Sequence, residues 1–404
     1  MANDLSFNQV AVVLSELCTQ ATGIVSLQAT DLSSFMTVAT TVLKTGPEQV
    51  YNAIGAVLGR TIFSNRPYYA KLRGLQVTDG MFKLHTRKLQ LSDGKFESEN
   101  EAAAWPVFYD SSHSSNPLGD DVAVDMQKIK KAIPVQTNFY GMNTFSDRYT
   151  IYDYMLDVAF SNPSELGLFW AMLVQNVSDR FEQAREVLAR AILCNAIAAC
   201  VTLNESGRVI HLLTEYNART GLSLDAQTVY DPDNYPGFVR WAFGRIGTLS
   251  SYMTERSGLY QTQITGKPLM RHTPIEKQRL YIYAPEELQM RANVLSTTFH
   301  DKFLQMADHE MVNFWQSIDT PGTVKVTPSY ISAAGAATSA GQTVTVENVF
   351  GVLMDEEAAG FATVKSTFKP APYNAAGDYQ NYFLKEYNKT YFDNTEKVIV
   401  LLLD

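Results

Sequence analysis

The chain has 404 residues, of which 46% are apolar and 19% charged, a globular balance long enough for two or three ordinary domains or one elongated one carrying an insertion. Its net charge of −9 excludes a protein that holds DNA or an anionic membrane by bulk electrostatics. Three cysteines, Cys18, Cys194 and Cys200, make no disulfide framework and read as buried thiols in a reducing compartment.

The N-terminal segment carries Asp4 and no basic residue ahead of an apolar run, so no signal peptide is read there. No stretch offers ~18 uninterrupted apolar residues, so no transmembrane span is expected. Residues 5–17 fit a short amphipathic helix through Phe7, Val10, Val13, Leu14 and Leu17. Residues 23–45, rich in Ser, Thr and β-branched side chains without a firm period, read as an extended arm. Gly46-Pro47 starts a second short helix carrying Val50, Ile54, Val57 and Leu58.

Residues 66–109 read as an extended excursion. Within it, 81–91 is a predicted strand, Ser92-Asp93-Gly94-Lys95 a tight turn and 96–102 the returning strand. That register sets Lys88 opposite Glu99 and Leu91 opposite Phe96. The outgoing arm is basic (Lys83, Arg87, Lys88) and the returning arm acidic (Glu97, Glu99, Glu101). With so little apolar surface the ribbon buries no core of its own and is expected to project, which makes these six residues candidates for contacts between subunits. Lys128, Lys130 and Lys131 read as a solvated helix face.

Residues 132–149 supply a further strand region, and 151–160 lead into one long amphipathic helix over 163–199. Asn162 suits its cap, Pro163 its first position and Glu165 a capping box. Apolar residues recur at helical spacing, among them Leu166, Phe169, Leu173, Val177, Phe181, Val187, Leu188 and Ile192. The opposite face carries Asp179, Glu182, Arg185, Glu186 and Arg190, with Glu186 four residues ahead of Arg190 in the favourable order. At 1.5 Å per residue the helix spans roughly 55 Å. Cys194 and Cys200 lie on it, turned about 240° from one another, too far round to be bridged without breaking it.

Asp231–Gly237 is a predicted loop, followed by an α/β unit reaching about Lys369. In that unit 279–283 is a buried strand, 285–293 a helix, and 344–346 and 349–354 are strands. Residues 332–342 (SAAGAATSAGQ) read as a mobile surface loop and not a phosphate cradle. Residues 397–403 (KVIVLLL) form a strand buried on both faces by composition.

The search for chemistry returns little. His309-Glu310 begins like a zinc-protease motif, but Asn313 stands where the second ligand belongs. Gly55 and Gly59, or Gly244 and Gly247, lack a dinucleotide site's third glycine, and no P-loop or nucleophile elbow is present. Asp355-Glu356-Glu357 reads as a helix N-terminus in preference to a catalytic dyad. No catalytic, cofactor or metal residue is assigned.

The order of arm, short helix, charged hairpin, strands, long helix, α/β unit and terminal strand resembles the major capsid proteins of tailed bacteriophages, the Hong-Kong-97-type fold, and is most similar to those of small short-tailed phages. The likeness is carried by 52–63 (NAIGAVLGRTIF), 133–143 (IPVQTNFYGMN), 147–199 and 373–404. It implies an α+β chain in which 1–65 is an N-terminal arm with short helices and 66–110 an extension-loop hairpin. Residues 111–230 would be a peripheral domain with the helix as its spine, 231–369 an axial domain, and 370–404 a return to the peripheral domain with the terminal strand. It further implies a head protein without enzymatic activity or cofactor, assembling through pentamers and hexamers into an icosahedral shell around packaged double-stranded DNA. Portal and scaffolding proteins would be its partners. DNA would be enclosed without sequence-specific binding, no membrane would be involved, and shells would form in the host bacterial cytoplasm before residing in the virion. Two other readings stay open: an encapsulin-like cargo shell, and a cytoplasmic α+β enzyme without a recognisable motif.

Overall fold

The computed structural model describes residues 7–24, 28–44, 49–50, 53–54, 72–77, 85–92, 127, 133–140, 142–159, 163–205, 207–267, 269–294 and 308–404. The described helices are α1 (Phe7–Thr22), α2 (Leu32–Lys44), α3 (Asp153–Ala159), α4 (Pro163–Leu203), α5 (Leu212–Thr220), α6 (Tyr235–Thr254) and α7 (Ala284–Val294). The first six described strands are β1 (His85–Leu91), β2 (Pro134–Tyr140), β3 (Asn143–Tyr152), β4 (Val209–His211), β5 (Gln278–Tyr283) and β6 (Asp308–Val312). Four short strands follow, β7 (Val324–Val326), β8 (Ser329–Ile331), β9 (Ala337–Ser339) and β10 (Val344–Val346). The chain ends on β11 (Val349–Asp355), β12 (Ala359–Pro370), β13 (Tyr379–Phe392) and β14 (Val398–Leu402). The whole divides into two compact units.

The first unit joins Met1–His85, Tyr140–Cys194 and Ala359–Phe392. Its sheet is three-stranded and antiparallel, in the order β12-β13-β3. The long β12–β13 pair runs from Ala359 opposite Phe392 to Pro370 opposite Tyr382, with one register shift between Thr363 and Lys365. Its core gathers Val10, Leu14 and Leu17 of α1 with Phe35, Val38 and Val42 of α2, together with Ile54, Ile151, Leu173 and Tyr382. Of the apolar spacing read for α1, Val10, Leu14 and Leu17 are buried and Val13 partly so, and the helix runs on to Thr22.

The extended arm expected over 23–45 is instead largely helical, because α2 occupies Leu32–Lys44. Two local features account for it. Asp31 accepts the Ser34 amide at 2.7 Å, a cap that the Ser/Thr-rich composition hides. The Thr37, Thr40 and Thr41 hydroxyls bond back to carbonyls four residues earlier at 3.0, 2.7 and 2.7 Å, satisfying themselves without leaving the helix. Phe35, Val38, Ala39 and Val42 then form one buried stripe. Val50, Ala53 and Ile54 are buried too, whereas Val57 and Leu58 of the expected second helix lie outside the described residues.

The long helix is continuous over 41 residues, four beyond the expected end. Leu173, Val177 and Leu188 are buried along it, but Phe181 is only half-buried and Val187 is 59% exposed. The charged face departs from expectation in the opposite sense, since Glu182 and Arg190 are buried. On that face Arg185 donates two hydrogen bonds to Glu386 of β13. Residues 175–203 are long and apolar enough to cross a membrane by length and composition, and 61% of the most apolar window is buried inside the protein.

The second unit joins Thr86–Phe139, Asn195–Ala358 and Asp393–Asp404. Its mixed sheet has the order β4-β14-β11-β5-β6. β14 lies parallel to β4 and antiparallel to β11, and β5 is antiparallel to β11 and parallel to β6. Every residue of β14 is buried, as the composition of 397–403 predicted, and so is every residue of β11. One face presents Leu280, Ile282, Phe350, Leu353, Ile399 and Leu401 to Leu213, Phe238, Val239, Ile246 and Leu249 of α5 and α6. Gly351 is needed in β11, because a Cβ there would stand 2.8 Å from the Tyr281 carbonyl oxygen. The predicted loop at 231–237 gives way at Tyr235 to α6, which begins with Pro236 in its first turn.

Within 370–404, residues 379–392 form β13 of the first unit, while 393–404 enter the second, where β14 fills the place between β4 and β11. One expectation changes here. Residues 332–342 are not all loop, since β9 pairs with β8. The outer edge of β8 is closed by two amide side chains. Asn195 bonds both backbone groups of Ser329 at 2.8 and 3.0 Å, and Asn394 both of Ile331 at 2.8 and 2.7 Å.

Phe35→Ala should destabilise the first unit by about 3–5 kcal/mol, and Leu173→Ala by about 2–5 kcal/mol. Phe181→Ala should cost less than Leu173→Ala because its side chain is only half-enclosed. Denaturant unfolding of the three variants checks the order.

Candidate functional site

The charged ribbon is the one functional feature read from sequence. Its outgoing strand, described as β1, pairs with β2. The predicted return at 96–102 lies outside the described residues, as do Lys83, Glu97, Glu99 and Glu101. Arg87 lies on β1. Where β1 and β2 part, the Ser92 amide bonds the Ile133 carbonyl at 2.9 Å, so the chain leaves the ladder at 92 and re-enters it at 133.

Lys88 finds partners that the predicted register did not name, and Glu99 itself lies outside the described residues. Its Nζ is held by Glu396, by Asp393 at 3.2 Å and by Glu357 at 3.3 Å, all in the second unit of its own chain. Arg271 adds a second cation to Glu396 at 3.2 Å. Burial pulls the Lys88 ammonium down, but the three carboxylates outweigh it and hold the pKa above the ordinary lysine value. A side chain offered as a contact between copies is therefore engaged within one chain.

The cage is built by two turns. In the first, Asp393 Oδ1 accepts the Thr395 amide at 3.0 Å and hydroxyl at 2.6 Å, and the Glu396 amide bonds the Asp393 carbonyl at 3.2 Å. This is an Asx turn, and the Asp393-Asn394-Thr395 string was its legible signal. In the second, Asp355 Oδ1 accepts the Glu357 amide at 2.8 Å and Oδ2 the Thr273 hydroxyl at 2.7 Å. The acidic triplet 355–357 is thus the corner between β11 and β12 and not a helix start. Glu356 faces Lys277 at 3.2 Å and Arg279 at 3.5 Å.

A second charge cluster lies in the first unit. Arg185 bonds Glu182 at 2.6 Å and Glu386 at 3.0 and 2.7 Å. Burial opposes the guanidinium's charge, and the two carboxylates more than restore it, so its pKa is raised. Glu186 and Arg190 pair at 2.6 Å, the (i, i+4) contact expected from sequence.

Side chains of catalytic type are engaged elsewhere. His309 Nε2 lies 3.1 Å from Glu287, and His211 Nδ1 lies 2.6 Å from Asp404. Among the described residues no three His, Cys, Asp or Glu side chains converge as a metal site. The cysteines are buried and unbridged; burial pushes the Cys194 thiol up to about 12 and raises Cys200 as well, leaving little thiolate. One recess of about 320 Å³ opens in the second unit beside Glu286. Sequence reasoning missed it, because its walls come from five separate stretches of chain.

The fold matches solved phage structures. A chain in the capsid structure of Staphylococcus phage Andhra aligns with a TM-score of 0.54 at 10% identity, over 84% of this chain and 86% of that one. A chain in the structure of the head fiber and inner core protein gp22 of native bacteriophage P68 aligns with a TM-score of 0.52, again at 10% identity and over 84% and 86% of the two chains. No family profile and no curated protein matches the sequence. At such identity the shared property is the fold. The chain has the α+β fold found in a phage capsid, as the resemblance implied.

Lys88→Met should destabilise the second unit by about 3–5 kcal/mol, because it strands the buried carboxylates of Asp393 and Glu396. The deficit should shrink as the pH falls, since carboxylates without their ammonium take up protons and shed the charge that burial penalises. Denaturant titrations of both proteins at pH 5 and about pH 7 measure the difference.

Proposed function

We propose that this chain is the major capsid protein of a tailed phage, a non-enzymatic building block of an icosahedral shell that encloses double-stranded DNA. The observation that carries the reading is the fold match to the Andhra capsid structure over 84% of the chain. In this reading the first unit, with the spine helix, is the peripheral domain and the second the axial domain. The β1–β2 pair is the root of the extension loop. Copies associate as pentamers and hexamers, with portal and scaffolding proteins as partners, in the host cytoplasm. Closed shells from one chain use heterologous contacts that close by symmetry. The net charge of −9 suits a wall that must not trap the DNA moved past it.

Light scattering and negative-stain microscopy of the chain, expressed with and without a co-expressed scaffold, should show closed shells. A small oligomer under both conditions overturns the reading.

The position of Lys88 redefines the segment to remove when testing the ribbon. Cutting at 82 would destroy β1 and its carboxylate cage, whereas residues 93–132 begin and end beside a hydrogen-bonded pair, Ser92 and Ile133. Replacing 93–132 by a short Gly-Ser turn should leave a folded protein whose thermal transition barely moves and whose shells fail to form. Normal shells from that variant would place the lateral contacts elsewhere.

A further inference from the structure

The recess beside Glu286 has features that folding alone does not require. Among the described residues Glu286 is its only charged lining residue. The side chain is 3% exposed and accepts the Tyr230 hydroxyl at 2.6 Å and the Tyr235 hydroxyl on its other oxygen. Both phenols are shifted upward, by burial first and by Glu286 second, so they remain donors across the physiological range. They hold the carboxylate in place but bring no positive charge to it. The N-terminus of α7 helps to stabilise the anion. Even so, an apolar residue at this position would close the recess at lower desolvation cost than a carboxylate that no cation among the described residues neutralises.

The opposite wall is fixed by backbone bonds. Gly322 accepts the Val349 amide and Pro321 the Trp315 amide, each at 3.0 Å. The buried Trp315 indole donates to the Val349 carbonyl at 2.9 Å. Asn348, at φ +54°, accepts the Leu403 amide at 2.9 Å. A ligand entering here finds its walls already ordered, which lowers the entropic cost of binding. Tyr230 and Tyr283 add aromatic surface beside the carboxylate. Aromatic faces next to one buried anion select a cation with an organic body.

We propose that this recess binds a primary ammonium or guanidinium group, with Glu286 as its counter-charge and Tyr230 and Tyr283 as its walls. Two sources present that chemistry, a free polyamine and a Lys or Arg side chain of a second copy of this chain. The proposal does not rest on the shell reading, since it concerns the single folded chain.

The test uses the full chain in unassembled form, titrated calorimetrically with spermidine and separately with N-acetyl-arginine amide. The wild type should bind at least one probe saturably at one site per chain. Glu286→Gln, which keeps hydrogen bonding to the tyrosines, should weaken binding about tenfold, the loss of one charge-assisted contact. Should that variant not fold, Tyr230→Ala replaces a half-exposed wall residue and should weaken binding severalfold. A preference for spermidine identifies a free polyamine. A preference for the arginine amide, with weakened concentration-dependent self-association in Glu286→Gln, identifies the second copy. No saturable binding to the wild type, or unchanged binding in the folded variants, overturns the proposal, and neither result depends on whether shells form.

Discussion

A strand that is apolar on both faces cannot end at a surface, and this constraint on 398–402 organises the second unit. All five residues of β14 are buried, so the strand needs a partner on each edge and a cover on each face. β4 and β11 supply the edges, and α5 and α6 cover the face that carries Ile399 and Leu401. Each such side chain contributes roughly 1.5–3 kcal/mol relative to exposure. Drawing β14 into the middle of the sheet also fixes what precedes it. The turn at 393–396 is locked against the corner at 355–358, where the Asp393 amide bonds the Ala358 carbonyl at 2.6 Å. The acids that hold Lys88 are therefore placed by the burial of apolar residues a few positions further on.

Buried charge follows the same economy of full pairing. Lys88 is matched by three carboxylates and Arg185 by two. Glu286, held by two phenols, and Lys397 depart from it. Lys397 is fully buried and donates only to neutral groups, the Met253 and Glu255 carbonyls and the Ser257 hydroxyl, and burial draws its pKa down to about 8. Hydrogen bonds satisfy its geometry without neutralising its charge, which is why desolvation governs its titration. Lys88, with carboxylates around it, shifts the other way.

These devices bear on the proposed shell. A ribbon of two strands is marginal alone, and the Lys88 cage gives its root a fixed position on the second unit. In the first unit, the pairing of Arg185 with Glu182 and Glu386 engages the charged side of the spine helix within the chain. Exposed apolar side chains such as Val187 remain on that helix as surface available to other molecules.

By itself the sequence determined the elements whose signal is local. The spine helix, α1, α7 and the buried strands β5, β11 and β14 were legible, because a 3.6-residue period or a short apolar run is written into neighbouring residues. The order of elements also sufficed to imply a capsid-type α+β fold. What escaped was decided over long distances or masked by composition. The hydroxyls of α2 blurred its apolar stripe, and they are compatible with a helix only because each bonds back within it. The pairing of β1 with β2 was not foreseen, since a local turn signal carries no information about a segment 42 residues further along the chain (Leu91 to Ile133). Lys88 was set against Glu99, while its carboxylates come from turns some 270 to 310 residues away, a distance at which periodicity carries no information. The recess at Glu286 is assembled from such distant stretches as well. Tertiary structure decided these features because their energies arise only when separate segments are buried against one another.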